Sequence, residues 1–454
     1  MIQNLLARTG ELSDFARRLA RMHAPDIVEQ LNEKPVEDIV RILGQLSDEQ
    51  VVGIFDEAGL EHPGALMAGL PTARAAHILI AMSSDRAAEI FRQLSEPVRE
   101  HLFKRLDADT KASLSQVLRY PMHSAGSIMT TEFVSVPANW SVAQTLDHVR
   151  KVERSRETIY AIYVLDPASH DLLQAISLRR LIAADPDVSV LSAAPQTAPL
   201  SVSPLTDRED AARMISKYDM LAVPVVEDRK IIGIVTVDDM IDAILEESTE
   251  DVQKFGGMAA IDEPYMRIGF TSMIRKRAGW LAVLFLSEML TASAMQHFAD
   301  ELQQAIVLTL FIPLIMSSGG NSGSQATSLL IRALALQQVR LRDWWRVALR
   351  EIPTGLTLGA ILGVIGIVRI SIWQKAGIYD YGPHWELVAA TVGAALVGIV
   401  LFGSLAGSML PFALKRLGFD PASASAPFVA TLVDVTGLVI YFTVALTILR
   451  GTLL

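Results

Sequence analysis

Apolar positions change their spacing twice along the chain. Between about residues 20 and 120, short amphipathic stretches such as VVGIF, AAHIL, AAEIF and REHLF follow a common start signal: Leu46-Ser-Asp-Glu, Leu70-Pro-Thr-Ala, Met82-Ser-Ser-Asp, Leu94-Ser-Glu-Pro and Leu106-Asp-Ala-Asp. The last four starts are 12 residues apart and the first gap is 24. An apolar residue before a cap-type side chain, then a short helix, predicts a helix-turn repeat and a curved all-helical array. Such an array binds a partner on one face or acts as a spacer. From about 127 to 250 the pattern alternates. Phe133-Val-Ser-Val-Pro, Tyr160-Ala-Ile-Tyr-Val-Leu, Ala222-Val-Pro-Val-Val and Ile231-Ile-Gly-Ile-Val-Thr read as strands, with helical periodicity at 141–152, 177–184, 207–218 and 238–250. The two halves resemble each other, which predicts a tandem pair of small α/β modules.

Beyond residue 270 the apolar runs lengthen. Five segments, roughly 279–299, 303–331, 353–373, 387–412 and 425–449, reach the ~20 apolar residues that a membrane helix needs. Basic residues gather at Arg275–Arg277, at Arg332, Arg340, Arg342, Arg346 and Arg350, and at Lys415 and Arg416. These turns fall on the side of the large polar half, so that half is expected in the cytoplasm and the C-terminus outside. Five spans enclose a path alone, or a symmetric dimer carries one near its axis. A bare anchor would need fewer helices.

Composition sharpens this picture. The 454 residues exceed one compact core, and the net charge of −10 argues against nucleic-acid binding. The absence of cysteine excludes disulfides and zinc-thiolate sites. No nucleophile–base pair or phosphate loop points to an enzyme. The N-terminal MIQNLLARTGELSDFARRLA is amphipathic without a signal-peptide run, which predicts a cytoplasmic N-terminus. Acidic residues outnumber basic ones 15 to 6 between Asp207 and Glu263, just before the first span. Crowded carboxylates repel, and divalent cations would draw them together. That gives either an ion-sensing surface or a plain solvated face.

Two features inside the apolar half carry chemistry. Asp434 has no Lys, Arg or His within seventeen residues before it or fifteen after it. An unpaired carboxylate at that depth costs about 3 kcal/mol or more, unless it faces a partner, water or a cation. The segment Pro313-Leu-Ile-Met-Ser-Ser-Gly-Gly-Asn-Ser-Gly-Ser-Gln325 is expected to break or loosen the second span beside a polar cavity, with close helix packing by small residues as the alternative. Arg369 is near enough to a helix end to snorkel. Glu288, at mid-span, lines the path or has a packing partner.

The order of these parts, with PLIMSSGGNSGSQ at 313–325, DPASASAPFVATLVDVTG at 420–437, ETIYAIYVLD at 157–166 and GIVTVDDM at 233–240, resembles the MgtE magnesium transporter/channel family across nearly the whole chain. The resemblance implies a superhelical N-domain (1–125), tandem cystathionine-β-synthase (CBS) modules (126–245), an acidic connecting plug helix (240–268) and a five-helix transmembrane domain (269–454). It implies a homodimer in the plasma (inner) membrane that takes hydrated Mg²⁺ inward. Asp434 matches the pore acid, with the Ala430 carbonyl one turn before it. Gly319, Gly320, Asn321 and Asp420 match positions beside the pore. Asp207, Glu209, Asp219, Asp239, Asp242, Glu247, Glu250 and Asp251 match acids that bind regulatory Mg²⁺, and Asp85 and Glu89 match superhelix positions facing them. Three departures stand out. Ala426 replaces an asparagine common in relatives, Glu288 lacks a firm counterpart, and Arg180 stands where relatives can carry a ribose-binding aspartate, which puts regulation by ATP in doubt. The alternatives are a nucleotide-regulated transporter of Co²⁺ or Mn²⁺, or a cation exporter.

Overall fold

A computed structural model describes residues 12, 14–153, 156–261, 265, 266 and 268–453. The N-terminal amphipathic pattern lies mostly outside the described residues, as do positions 262–264 and 267 of the expected plug segment. The chain forms two compact units, Met1–Glu246 and Glu247–Leu454.

The first unit begins with short helices: Ala24–Asn32, Val36–Leu43, Asp48–Asp56, Pro63–Gly69, Thr72–Ala81, Ser84–Gln93, Glu96–Arg105 and Ala108–Leu118. Each of the first six packs on the helix two places ahead, so the array winds as a superhelix. The apolar residue that opens each repeat is its core anchor: Leu46, Leu70, Met82, Leu94 and Leu106 are all buried. Ser47 and Asp107 cap their helices by accepting from Gln50 and Thr110 backbone N–H groups. The 24-residue gap hides one more repeat. Leu60 is buried and the helix Pro63–Gly69 follows it, but His62 in a left-handed conformation replaces the Ser or Asp cap. Arg74 and Arg86, twelve residues apart, tie successive layers. Arg74 donates to the Leu43 and Leu46 carbonyls, and Arg86 to those of Phe55 and Glu57.

The α/β modules follow in the same unit. β1 (Val134–Pro137) pairs parallel with β2 (Ala161–Leu165), which pairs antiparallel with β3 (Leu172–Ser177). β4 (Ala222–Glu227) and β5 (Lys230–Thr236) form an antiparallel pair. The duplication extends to detail, since β2 and β4 carry their register shifts at Val164/Leu165 and Val225/Val226. From β5 the chain enters the helix Val237–Phe255. That connecting helix ends well before residue 268, because Gly256 and Gly257 follow and Gly257 takes φ +74°.

The second unit holds five helices long and apolar enough to cross a membrane: Phe270–His297, Ile306–Ala335, Leu341–Lys375, Trp385–Arg416 and Ala426–Ile448. The third and fourth are 35 and 32 residues long, about 50 Å, so their ends project past a ~30 Å hydrocarbon layer. Arg346 and Arg350 therefore sit on the third helix itself, not in the preceding turn.

The expected break in the second span is absent. Ile312–Ala335 is one continuous helix. Pro313 occupies its first turn, where a missing N–H costs nothing. The glycines are held by the fourth span: a Cβ at Gly403 would strike the Gly319 carbonyl, and one at Gly407 the Gly323 carbonyl. Ser322 and Ser404 share a hydrogen bond at 2.8 Å, and Thr327 Oγ1 donates to the Gly407 carbonyl at 2.8 Å. Close small-residue packing is what this sequence encodes.

Candidate cation path and acidic sensor

Asp434 sits half-buried on the fifth span, in the middle of Ala426–Ile448. Among the described residues it has no ion-pair partner and no side-chain hydrogen bond. Thr431 bonds back to the Pro427 carbonyl instead. Ala430, one turn before Asp434, faces the second span: a Cβ at Gly320 would touch its Cβ at 3.4 Å. Gly319 is buried against Ile399 and Val433. Asn321 is exposed, in line with Ser317, Gln325 and Ser328, so the second span turns a polar face outward from the bundle of this chain. Glu288 on the first span interacts electrostatically with Asp434. The Arg369 guanidinium lies over the Trp373 ring at 4.1 Å, one turn nearer the helix end, as a snorkelling cation would.

Asp420 lies in the loop before the fifth span. Its Oδ1 accepts from the Ala422 N–H at 2.9 Å, and its Oδ2 accepts from Lys254 Nζ at 2.6 Å. Lys254 also pairs with Glu250 at 2.6 Å. Burial pulls the Lys254 pKa down, but the bonds to Asp420 and Glu250 win and hold it above the ordinary lysine range. Asp251 is pushed up to about 6 by burial and then by Asp420. Past the helix end, Gly257 packs on the Trp280 ring, and Trp280 Nε1 donates to the Ser425 hydroxyl at 3.1 Å. The tail of the connecting helix is thereby fixed to the starts of the first and fifth spans. Glu247 and Glu250 lie on the same helix, one turn from Lys254 or two.

A second acidic centre lies within the first unit. As a residue Asp85 keeps some exposure, but its Oδ1 is shut off from solvent without a hydrogen-bond partner. Burial holds its pKa above the usual range. Around it burial, then the Asp85 charge, raises Glu132 to about 7, Glu157 to about 7 and Asp239 to about 8. Asp56 rises to about 6, chiefly through burial. Asp242 is raised by burial and by Asp238, with Arg86 opposing and Glu89 adding. Arg86, bonded to Glu89, is the cation built into this zone. Thus Asp85, Glu89, Asp239 and Asp242 come together, joined by Asp56, Glu132 and Glu157. Asp207 and Asp219 have local work instead. Asp207 caps Arg208–Tyr218 through the Glu209 N–H, and Asp219 closes that helix with φ 49°. Glu209 pairs with Arg213 at 3.0 Å.

The chain is 40% identical over 347 residues to the magnesium transporter MgtE of Thermus thermophilus, covering 76% of this chain and 74% of the relative. The chain belongs to the MgtE family. The MgtE transporters of Enterococcus faecalis and Bacillus subtilis are 36% and 31% identical over 344 and 341 residues, covering 76% and 75% of this chain and 73% of each relative. The family model described as a divalent cation transporter matches residues 312–444, that of the MgtE intracellular N domain 22–123, and that of the CBS domain 188–246. Among solved structures, the cytosolic domain of the Mg²⁺ channel MgtE in complex with ATP is 31% identical with a TM-score of 0.48, covering 50% of this chain and 93% of that one. The soluble part of a magnesium transporter is 28% identical with a TM-score of 0.43, covering 53% and 99%. As a member of the MgtE family, the chain combines the helical N-domain, the CBS region, the connecting helix and five apolar helices.

Sequence reasoning passed over Lys254, Trp280, Asp56, Glu132 and Glu157 in this MgtE-family chain. Lys254 carried a signal, as the lone basic residue between Glu246 and Glu263. The three acids carried none, since each reads alone as an ordinary surface carboxylate.

Proposed function

We propose that this chain transports Mg²⁺ across the plasma (inner) membrane into the cytoplasm as a homodimer, and that cytoplasmic Mg²⁺ closes the path. The observation that carries this reading is Asp434, a carboxylate at mid-span without a protein cation among the described residues. Mg²⁺ keeps several waters, so an oxygen-lined path with one acid per chain suits a hydrated ion better than a tight cage. A second copy fits two exposed surfaces: the polar face at Ser317, Asn321 and Gln325, and the apolar residues Ile241, Ile244, Leu245 and Val252 on the connecting helix. In this reading the N-terminus lies inside and the C-terminus outside, supported by the basic loop charges.

Closure follows from repulsion. The acids around Asp85, and Glu247, Glu250 and Asp251 near the mouth, bind regulatory Mg²⁺ in this reading. Neutralised, they hold the connecting helix over the path; stripped of the ion, they spread. Mg²⁺ flux into vesicles holding the full chain tests the path: Asp434→Ala should abolish it, and flux equal to the parent would refute the assignment. Limited proteolysis tests the gate. Cleavage between 240 and 265 that ignores Mg²⁺ would refute it.

A further inference from the structure

We propose that Glu288 supplies a second carboxylate to the cation path at the depth of Asp434, so that each chain offers a hydrated divalent cation one acid from the first span and one from the fifth. The inference rests on the reading of Asp434 as the pore acid.

Geometry places the two acids level. With five spans, the first and fifth run in the same direction. At one end Trp280 donates to Ser425 at 3.1 Å and its ring lies 6.2 Å from Phe428. At the other end Phe298 stacks on Phe442 at 4.8 Å. Between these fixed points Glu288 is eight residues past Trp280, about 12 Å, and Asp434 is nine past Ser425, about 13 Å. The electrostatic interaction of the two carboxylates agrees.

Among the described residues nothing neutralises the pair. Neither acid has a hydrogen bond or ion pair among the described residues. Glu288 is exposed on the surface of this single chain, and Arg277 is eleven residues, about 16 Å, away along the helix. A third group points to a ligand. Thr291, three residues past Glu288, is the one residue of its helix that is buried among those described. It is 6% exposed, and its Oγ1 is closed to solvent without a partner. Because the first span packs chiefly on the fifth, its one buried residue belongs to that seam, one turn beyond Glu288. A buried hydroxyl without a partner, one turn from the unpaired Glu288, is supplied by water or by the hydration shell of an ion.

The chain has no cysteine, so Glu288→Cys creates a single thiol to follow. In vesicles holding the full-length protein, a charged, membrane-impermeant methanethiosulfonate reagent should modify it, and Mg²⁺ should slow the modification. In parallel, Glu288→Gln should raise the Mg²⁺ concentration for half-maximal flux about three- to tenfold, the effect of removing one unit charge near the ion in a partly watery site. Glu288→Asp should recover part of the difference. A thiol that stays unmodified, or that reacts at one rate with and without Mg²⁺, would overturn the proposal, as would a Glu288→Gln flux that saturates like the parent. Asp434→Ala in the same vesicles separates the two readings. If it abolishes flux while Glu288→Gln is silent, only the Glu288 inference fails; if it transports like the parent, both do.

Discussion

Lys254 Nζ lies 2.6 Å from Asp420 Oδ2, an ion pair between the end of the connecting helix and the loop that opens the fifth span. Both side chains remain about one-third exposed, so water screens the pair and its coupling is about 1 kcal/mol. Its position matters more than its strength. The ammonium sits between Glu250 and Asp420, so without any metal it offsets part of their repulsion and tethers the tail of the connecting helix to the loop. In chelator, Lys254→Met should speed protease cleavage around Gly256 several-fold. The exchange Lys254→Asp with Asp420→Lys should restore most of the protection. Equal cleavage of parent and Lys254→Met would show that the pair is incidental.

The turn that follows depends on a glycine. Gly257 has φ +74°, and a Cβ there would lie 2.8 Å from the Trp280 ring. Left-handed strain costs about 1–2 kcal/mol, and the overlap adds to it. Gly257→Ala should therefore lower the thermal unfolding midpoint of the full chain in detergent by several degrees. An unchanged midpoint would mean that the turn is not docked on Trp280.

The five spans were legible because each supplies enough apolar residues to cross the hydrocarbon, and no other class of element needs such runs. Asp434 was legible for the opposite reason: it is the lone charge in its run. The glycines of the second span misled because sequence displays flexibility but not the partner that removes it. Gly403 and Gly407 lie more than eighty residues from Gly319 and Gly323, yet their backbones touch. The acids around Asp85 were only half legible for a similar reason. Asp56, Glu132 and Glu157 come from three segments, and their crowding near Asp85, which no single segment shows, is what gives them their character. Lys254 was lost in a charge count that averaged it with fifteen acids.

That interlock gives a third prediction. A Cβ at Gly407 would overlap the Gly323 carbonyl, which neither backbone can yield without separating the second and fourth spans. Gly407→Val should cost at least ~2 kcal/mol and reduce the folded yield. Gly377→Val would meet no neighbouring atom, but its left-handed backbone brings strain. The cleaner control is Gly279→Val, inside the first span, where nothing lies within 4 Å and valine is a better helix former than glycine, so the change should be neutral or slightly stabilising. Thermal unfolding of the variants side by side would expose a false packing account, since Gly407→Val and Gly279→Val would then behave alike.

The last prediction concerns the acids of the first unit. Glu132, Glu157 and Asp239 each have Asp85 as the largest charge acting against their ionised forms. Removing that charge relieves repulsion in the metal-free protein and, on the proposed sensing role, removes a ligand from the metal-bound one. Asp85→Asn should thus leave the unfolding midpoint in chelator equal to the parent or a few degrees higher, while shrinking the rise caused by Mg²⁺. A ligand at a hundred times its dissociation constant stabilises by about 2.7 kcal/mol, so the parent's rise should be measurable and the variant's loss with it. Asp26→Asn, an exposed acid at the start of the superhelix, should change neither quantity. If the Mg²⁺-induced rise survives intact in Asp85→Asn, the crowded carboxylates are a structural network, and the sensing role falls to Glu247, Glu250 and Asp251 near the mouth.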